Sequence, residues 1–171
     1  MRAVFFDRDN TLTCDEGYCH KVEDFAWMPG AEIALRALHE RQIPVFIVTN
    51  QGGIAKGLFT HSDMVLFHNH LCLMAEKAGG HITDIAFCPH HPQAPDPQGL
   101  CDCRKPSPKL LFDLAEKWHI TLSGSVMIGD KASDIEAGKQ AGTFSYLYDP
   151  SMRLDTLVNQ VIEAHFSDMP S

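Results

Sequence analysis

The chain has 171 residues, of which 44% are apolar, and these values fit one globular domain, residues 1–171, with a sizeable core. The formal net charge of −8 argues against nucleic acid or an anionic membrane as the main partner. The sequence has no apolar run long enough to span a bilayer and no signal-peptide pattern at its start. We therefore expect a cytoplasmic protein, and we expect it to be a monomer.

Short apolar segments alternate with amphipathic segments along the chain. Strands are predicted over residues 3–6, 43–48, 82–87, 124–128 and 143–148, and helices over residues 30–41, 61–78, 107–119, 133–141 and 152–165. This alternation predicts an α/β fold in which helices flank a parallel sheet, with ligands bound beyond the carboxyl ends of the strands. The connections between these elements are too short to contain a large cap domain.

The first predicted strand ends in two carboxylates, Asp7 and Asp9, with one residue between them. On an extended backbone the two side chains face the same way, and their like charges repel unless a cation lies between them. A divalent metal ion such as Mg²⁺ suits such a site, and a carboxylate can also act as a nucleophile. Taken alone, the pair is equally compatible with a helix N-cap or an acidic loop.

Two further predicted strands end in polar residues. Thr49 and Asn50 follow one strand and offer a hydroxyl and an amide to phosphate oxygens, and Asp130 follows another. Because the carboxyl ends of parallel strands share one edge of a sheet, we expect Asp130 to complete a magnesium site with Asp7. Asp134 lies about one helical turn further on, and we expect it to support the magnesium site indirectly and not as a direct ligand.

Two cations, Arg104 and Lys105, precede the helix predicted from residue 107. Such cations neutralise the charge that develops during phosphoryl transfer, although a solvated basic pair is the commoner reading of this pattern.

A cluster of thiols and histidines occupies residues 88–104, which we predict to form a zinc-binding loop. Three cysteines and one histidine make a common tetrahedral set for structural zinc; here they are Cys88, Cys101, Cys103 and either His90 or His91. Spacing alone does not choose between the histidines, and the wider spacing from Cys88 favours His91. A chance group of reduced thiols is the alternative. Because the last cysteine directly precedes Arg104 and Lys105, a bound Zn²⁺ would fix the segment that carries both cations.

Four motifs occur in a characteristic order, namely DRDNT from Asp7, TNQGG from Thr49, RKP from Arg104 and GDKASD from Gly129. Together they resemble the haloacid dehalogenase superfamily of aspartate-dependent phosphohydrolases. With the cysteine loop and the GYCH segment at residues 17–20, the chain is similar to the narrower family of D-glycero-D-manno-heptose 1,7-bisphosphate phosphatases, which are relatives of the histidinol-phosphatases. This resemblance implies a Rossmann-like haloacid dehalogenase fold and a sugar phosphate substrate. The implied reaction is Mg²⁺-dependent removal of the C7 phosphate through an aspartyl-phosphate intermediate, during nucleotide-heptose synthesis for lipopolysaccharide.

The resemblance also implies roles for individual residues. Asp7 matches the nucleophile and Asp9 the general acid/base, Thr49 matches the phosphate-binding hydroxyl, and Lys105 matches the cation that steadies the phosphoryl group. Asp7, Asp130 and the backbone carbonyl of Asp9 match the magnesium ligands. The resemblance selects His90 as the fourth zinc ligand. We expect four residues to bind the substrate: Asn50, Gln51, Arg104 and Lys131.

Three alternative functions remain open at this point. A histidinol-phosphatase differs only in its substrate. A phospho-aspartyl receiver module is also an α/β protein, but it explains neither the paired aspartates nor the cysteines. A zinc-dependent nucleic-acid binder fits poorly with the acidic charge.

Overall fold

The computed structural model describes residues 1–94 and 101–168. The strands are β1 (Val4–Phe6), β2 (Val45–Asn50), β3 (Asp84–Cys88), β4 (Val126–Gly129) and β5 (Phe144–Leu147). The helices are α1 (Ala31–Glu40), α2 (His61–Lys77), α3 (Lys109–Trp118), α4 (Ala132–Ala141) and α5 (Leu154–His165), with a short 3₁₀ helix at Val22–Asp24. None of the described helices is both long enough and apolar enough to cross a membrane.

The strands form one parallel sheet in the order β3-β2-β1-β4-β5. The short apolar strand β1 lies at its centre, where Val4 pairs with Val45 on one side and with Val126 on the other. Strands buried on both faces are apolar throughout, as β1 is. The predicted α/β fold is confirmed, and no large cap domain is inserted among the described residues.

Alternate residues of the central strands serve two separate cores, because successive side chains of a strand point to opposite faces. Val4 and Phe6 pack in the core under α1, α2 and α5. Phe5 packs in the second core under α3 and α4. The sheet is therefore held rigidly from both faces, and the residues that follow each strand start from fixed positions.

The predicted elements are all present, but their ends differ by one to a few residues from the predicted ranges. Gly30, the N-cap of α1, has a left-handed backbone with φ of 84°, so the helix begins one residue later than predicted. His119 also adopts the left-handed conformation and ends α3. Strand β5 lies at the edge of the sheet, and it leaves Phe144 and Leu147 exposed.

Candidate active site

Three carboxylates converge where β1 and β4 end. One oxygen from each of Asp7, Asp130 and Asp134 lies within 4.8 Å of the others. Among the buried side-chain oxygens of the described residues, Asp130 Oδ1 is one of the few without a hydrogen-bond partner. Burial, and next the neighbouring Asp7 carboxylate, raise the pKa of Asp130 to about 6. A buried, unpartnered oxygen beside a second carboxylate fits a hard divalent cation such as Mg²⁺.

The ammonium group of Lys105 lies between two of these carboxylates. Its Nζ is 2.7 Å from Asp7 Oδ1 and 2.6 Å from Asp134 Oδ1, and it also donates to the carbonyl oxygen of Val48 at 2.6 Å. Although burial by itself disfavours the charged form, Asp7 and Asp134 hold the pKa of Lys105 above its ordinary value. The lysine is therefore a fixed positive charge beside the Asp7 carboxylate.

The backbone of Lys105 is held by Asn50, at the end of β2. The Asn50 side chain donates to the Lys105 carbonyl at 3.2 Å and accepts from the Lys105 amide at 3.0 Å. This reciprocal pair joins the end of β2 to the segment that precedes α3. The side-chain amide of Asn50, predicted to bind substrate, thus bonds to protein, although the residue also lines the adjacent cavity.

The second aspartate of the first motif is held from two sides. Arg8 donates to Asp9 Oδ1 from Nε at 2.8 Å, and its Nη2 lies 2.7 Å from the same oxygen. Gln51 Nε2 donates to Asp9 Oδ2 at 3.0 Å and to the hydroxyl oxygen of Thr49 at 2.9 Å. Burial raises the pKa of Asp9, while the neighbouring Arg8 opposes this rise. Gln51 therefore connects the ends of β1 and β2 while also lining the cavity.

The thiol cluster forms beside this site. Sγ of Cys88 lies 3.5 Å from Sγ of Cys101 and 3.6 Å from Nδ1 of His90, and Sγ of Cys103 lies 3.4 Å from the same nitrogen. Zinc–ligand distances of about 2.0–2.3 Å place the corners of a tetrahedral site roughly 3.5–3.8 Å apart. The four side chains therefore fit a tetrahedral zinc site, and the structure places His90, not His91, in this cluster.

A cavity of about 430 Å³ opens over the strand ends. Its cationic wall consists of Arg104, Lys105 and Lys131, and its acidic residues include Asp9. The imidazole of His91 also lines it, and a Cβ on Gly52 would lie 2.8 Å from this ring. A cavity with three cations beside a carboxylate cluster is suited to an anionic substrate.

The structure brings together the predicted site residues from distant parts of the chain. The acidic cluster, Lys105 and Asp9 lie at one edge of the sheet, and the predicted substrate-binding residues line the cavity above them. The sequence interpretation missed the lining residues Asp15 and Ser133. Tyr18 and His91, which also line the cavity, were considered only as part of the GYCH segment and as an alternative zinc ligand. Arg8 and its partner His68 were also missed, because nothing in the DRDNT motif marks Arg8 as a buried side chain.

Comparison with known proteins agrees with this geometry. The HAD-hydrolase-like family model matches residues 102–157. The D-glycero-beta-D-manno-heptose-1,7-bisphosphate 7-phosphatase of Rhodopseudomonas palustris is 37% identical over 162 residues, which cover 94% of this chain and 89% of the relative. The D-glycero-alpha-D-manno-heptose-1,7-bisphosphate 7-phosphatase of Photorhabdus laumondii is 34% identical, over 83% of this chain and 79% of that protein.

A solved structure gives the same result at the level of the fold. The D,D-heptose 1,7-bisphosphate phosphatase of B. bronchiseptica, in complex with magnesium and phosphate, superimposes with a TM-score of 0.83 at 26% identity. The match covers 96% of this chain and 99% of that one. That relative binds the ion and the anion that the acidic cluster and the cationic cavity here are suited to hold.

Proposed function

The chain belongs to the haloacid dehalogenase superfamily, in the family of the heptose 1,7-bisphosphate 7-phosphatases, and we propose that it removes the 7-phosphate from D-glycero-D-manno-heptose 1,7-bisphosphate. The observation that carries the proposal is the likeness, over most of the chain, to relatives named for this reaction. Because these relatives are named for both anomers, the proposal concerns the sugar bisphosphate and not one anomer. The product would enter nucleotide-heptose synthesis.

In the first step the Asp7 carboxylate attacks phosphorus, and the bond between phosphorus and the C7 oxygen breaks. Lys105 holds one oxygen of Asp7, which leaves the other free for attack. Asp9 donates its proton to the departing sugar oxygen, and the burial that raises its pKa favours the protonated form needed here. The oxygen of Thr49 accepts from Gln51, so its own hydrogen is free to donate to the phosphoryl group.

In the second step the aspartyl phosphate is hydrolysed. Asp9, now a carboxylate, accepts a proton from a water molecule, and the resulting hydroxide attacks phosphorus. The bond between phosphorus and Asp7 breaks, which releases inorganic phosphate and restores both aspartates. Arg104 and Lys131 line the cavity where the remainder of the sugar phosphate would lie, and their positive charges complement its second phosphate.

Two metal ions are part of the proposal. Asp7, Asp130 and the backbone carbonyl of Asp9 would hold Mg²⁺, whose charge lets an anionic carboxylate approach a phosphate dianion. Zn²⁺ in the cysteine cluster would have all four positions filled by protein, and such a site is structural. It would fix Arg104, whose guanidinium donates to the carbonyl of His90 at 3.0 Å.

The test is phosphate release from heptose 1,7-bisphosphate and from histidinol phosphate, with and without Mg²⁺. We expect turnover of the heptose substrate that requires Mg²⁺, abolished in Asp7→Asn and lowered roughly 10²–10⁴-fold in Asp9→Asn. Asp113→Asn is the matched control, since Asp113 lies exposed on α3 in an ion pair with Lys109. Turnover retained by Asp7→Asn would refute the covalent mechanism, and a preference for histidinol phosphate would refute the substrate assignment.

A further inference from the structure

Arg8, the second residue after the central strand β1, has a charged side chain that is fully buried. All three nitrogens of its guanidinium group have partners. Nε and Nη2 both contact Asp9 Oδ1, and Nη2 also donates to the carbonyl oxygen of Cys19 at 2.8 Å. Nη1 lies 3.1 Å from Nε2 of His68. The aromatic ring of Phe67 lies beneath its guanidinium carbon at 4.7 Å. Two residues of α2 therefore hold the guanidinium group: His68 contacts its edge and Phe67 packs against its flat face.

The chemistry of this pair fixes the state of His68. A guanidinium only donates hydrogen bonds, so Nε2 of His68 has to accept, and the proton of the neutral ring lies on Nδ1. Burial, and next the charge of Arg8, lower the pKa of His68, which agrees with a neutral ring. Replacing this acceptor by an apolar group would leave an N–H of Arg8 buried without a partner.

The pair also distinguishes the two oxygens of Asp9. Oδ1 accepts hydrogen bonds from the Arg8 guanidinium, whereas Oδ2 accepts one from the side-chain amide of Gln51. Both Asp9 and Gln51 line the cavity. We propose that Arg8, held in place by His68, is a positioning residue that directs Oδ2 of Asp9 to the substrate as the proton-carrying oxygen. This inference rests on the proposed function, because it assigns the acid/base role of Asp9 to one atom.

Two His68 variants test the proposal. His68→Leu removes the acceptor, whereas His68→Gln keeps a side-chain oxygen that can accept from Arg8. The control is His70→Leu on the same helix, where the ring packs against Phe25 with centroids 5.0 Å apart. Melting temperatures of all three confirm that the compared proteins are folded.

The assay compares kcat/KM, which reports the first phosphoryl transfer, for heptose bisphosphate and for p-nitrophenyl phosphate. The sugar alkoxide needs a proton as it leaves, and p-nitrophenolate does not. We expect His68→Leu to lose roughly 10- to 100-fold on the sugar substrate and to stay near the parent on the aryl substrate. His68→Gln should recover most of the loss. Equal losses on both substrates, no loss on the sugar, or no recovery in His68→Gln would each overturn the proposal.

A second measurement does not depend on activity. Long-range ¹H–¹⁵N spectra of the parent protein, assigned with the His68→Gln variant, report which ring nitrogen carries the proton. We expect His68 as the neutral tautomer protonated on Nδ1, and a ring protonated on Nε2 would overturn the Arg8 contact. If the parent released phosphate from neither substrate, the proposed function would fail, while this spectrum would still decide whether Arg8 is held as described.

Discussion

The buried imidazole of His68 should make the free energy of unfolding decrease in acid, and the size of this decrease can be predicted. Burial, and next the charges of Arg8 and His61, lower its pKa from 6.5 to about 3, and Asp84 and Cys72 line the groove beside it. The folded state therefore resists a proton that the unfolded chain accepts, so stability is lost as the pH falls below 6.5. At about pH 5 the difference of roughly 1.5 pH units corresponds to about 2 kcal/mol.

Urea unfolding at about pH 7.5 and about pH 5 measures this term in the parent and in His68→Gln. We expect the free energy of unfolding of the parent to fall by about 2 kcal/mol more than that of the variant, because other titrating groups contribute equally to both. His81→Gln, which replaces an exposed imidazole, is the matched control and should follow the parent. The same pH dependence in the parent and in His68→Gln would refute the reasoning.

Three further predictions concern the active site and the loop beside it. Lys105→Met should lower the free energy of unfolding by about 3–5 kcal/mol in urea titrations and abolish phosphate release, because it leaves the buried Asp7 carboxylate without its cation. Cys101→Ser should weaken zinc binding by more than about tenfold in competition titrations with a chelator, and lower turnover by releasing the segment that carries Lys105. Gly52→Val should raise KM in steady-state assays while the melting temperature changes little, because its Cβ would displace the His91 ring in the cavity wall.

Each of these predictions has a control and a contrary result. Lys109→Met removes an exposed lysine and should leave stability and turnover near the parent, so a similar loss there would contradict the first. Cys72→Ser changes a thiol on α2 outside the cluster, and equal zinc loss in it would contradict the second. Ser151→Val, which enlarges an exposed loop residue outside the cavity lining, should leave KM near the parent, and an unchanged KM in Gly52→Val would contradict the third.

The convergence of the carboxylates could be predicted from the sequence because it follows from one geometric rule. Parallel strands present their carboxyl ends at one edge, so Asp7 and Asp130 were expected at the same edge of the sheet. That β1 and β4 are direct neighbours, which brings the two carboxylates together, was shown by the structure. The zinc cluster was predictable for a similar reason, since its thiols lie close together along the chain. Spacing alone did not choose between His90 and His91; the family resemblance selected His90, which is the histidine found in the cluster.

The contacts by which Arg8 and His68 hold Asp9 in place could not be predicted from sequence patterns. Arg8 gives no sign in the sequence that its side chain turns under α2, because a buried arginine and an exposed one look alike in a motif. His68 lies among apolar residues of an amphipathic helix, where its spacing equally suits a packed core residue. The left-handed conformation of His119, which ends α3, is likewise unmarked, since non-glycine residues rarely adopt it.

The central place of β1 has a consequence for synthesis on the ribosome. Its second neighbour, β4, is paired through Val126, so the strand that carries Asp7 stays half-paired until most of the chain has emerged. Such distant pairing slows folding, because a long stretch of chain has to be ordered before the contact forms. A nascent chain that ends before β4 therefore contains the complete first motif but lacks both Asp130 and the second neighbour of β1.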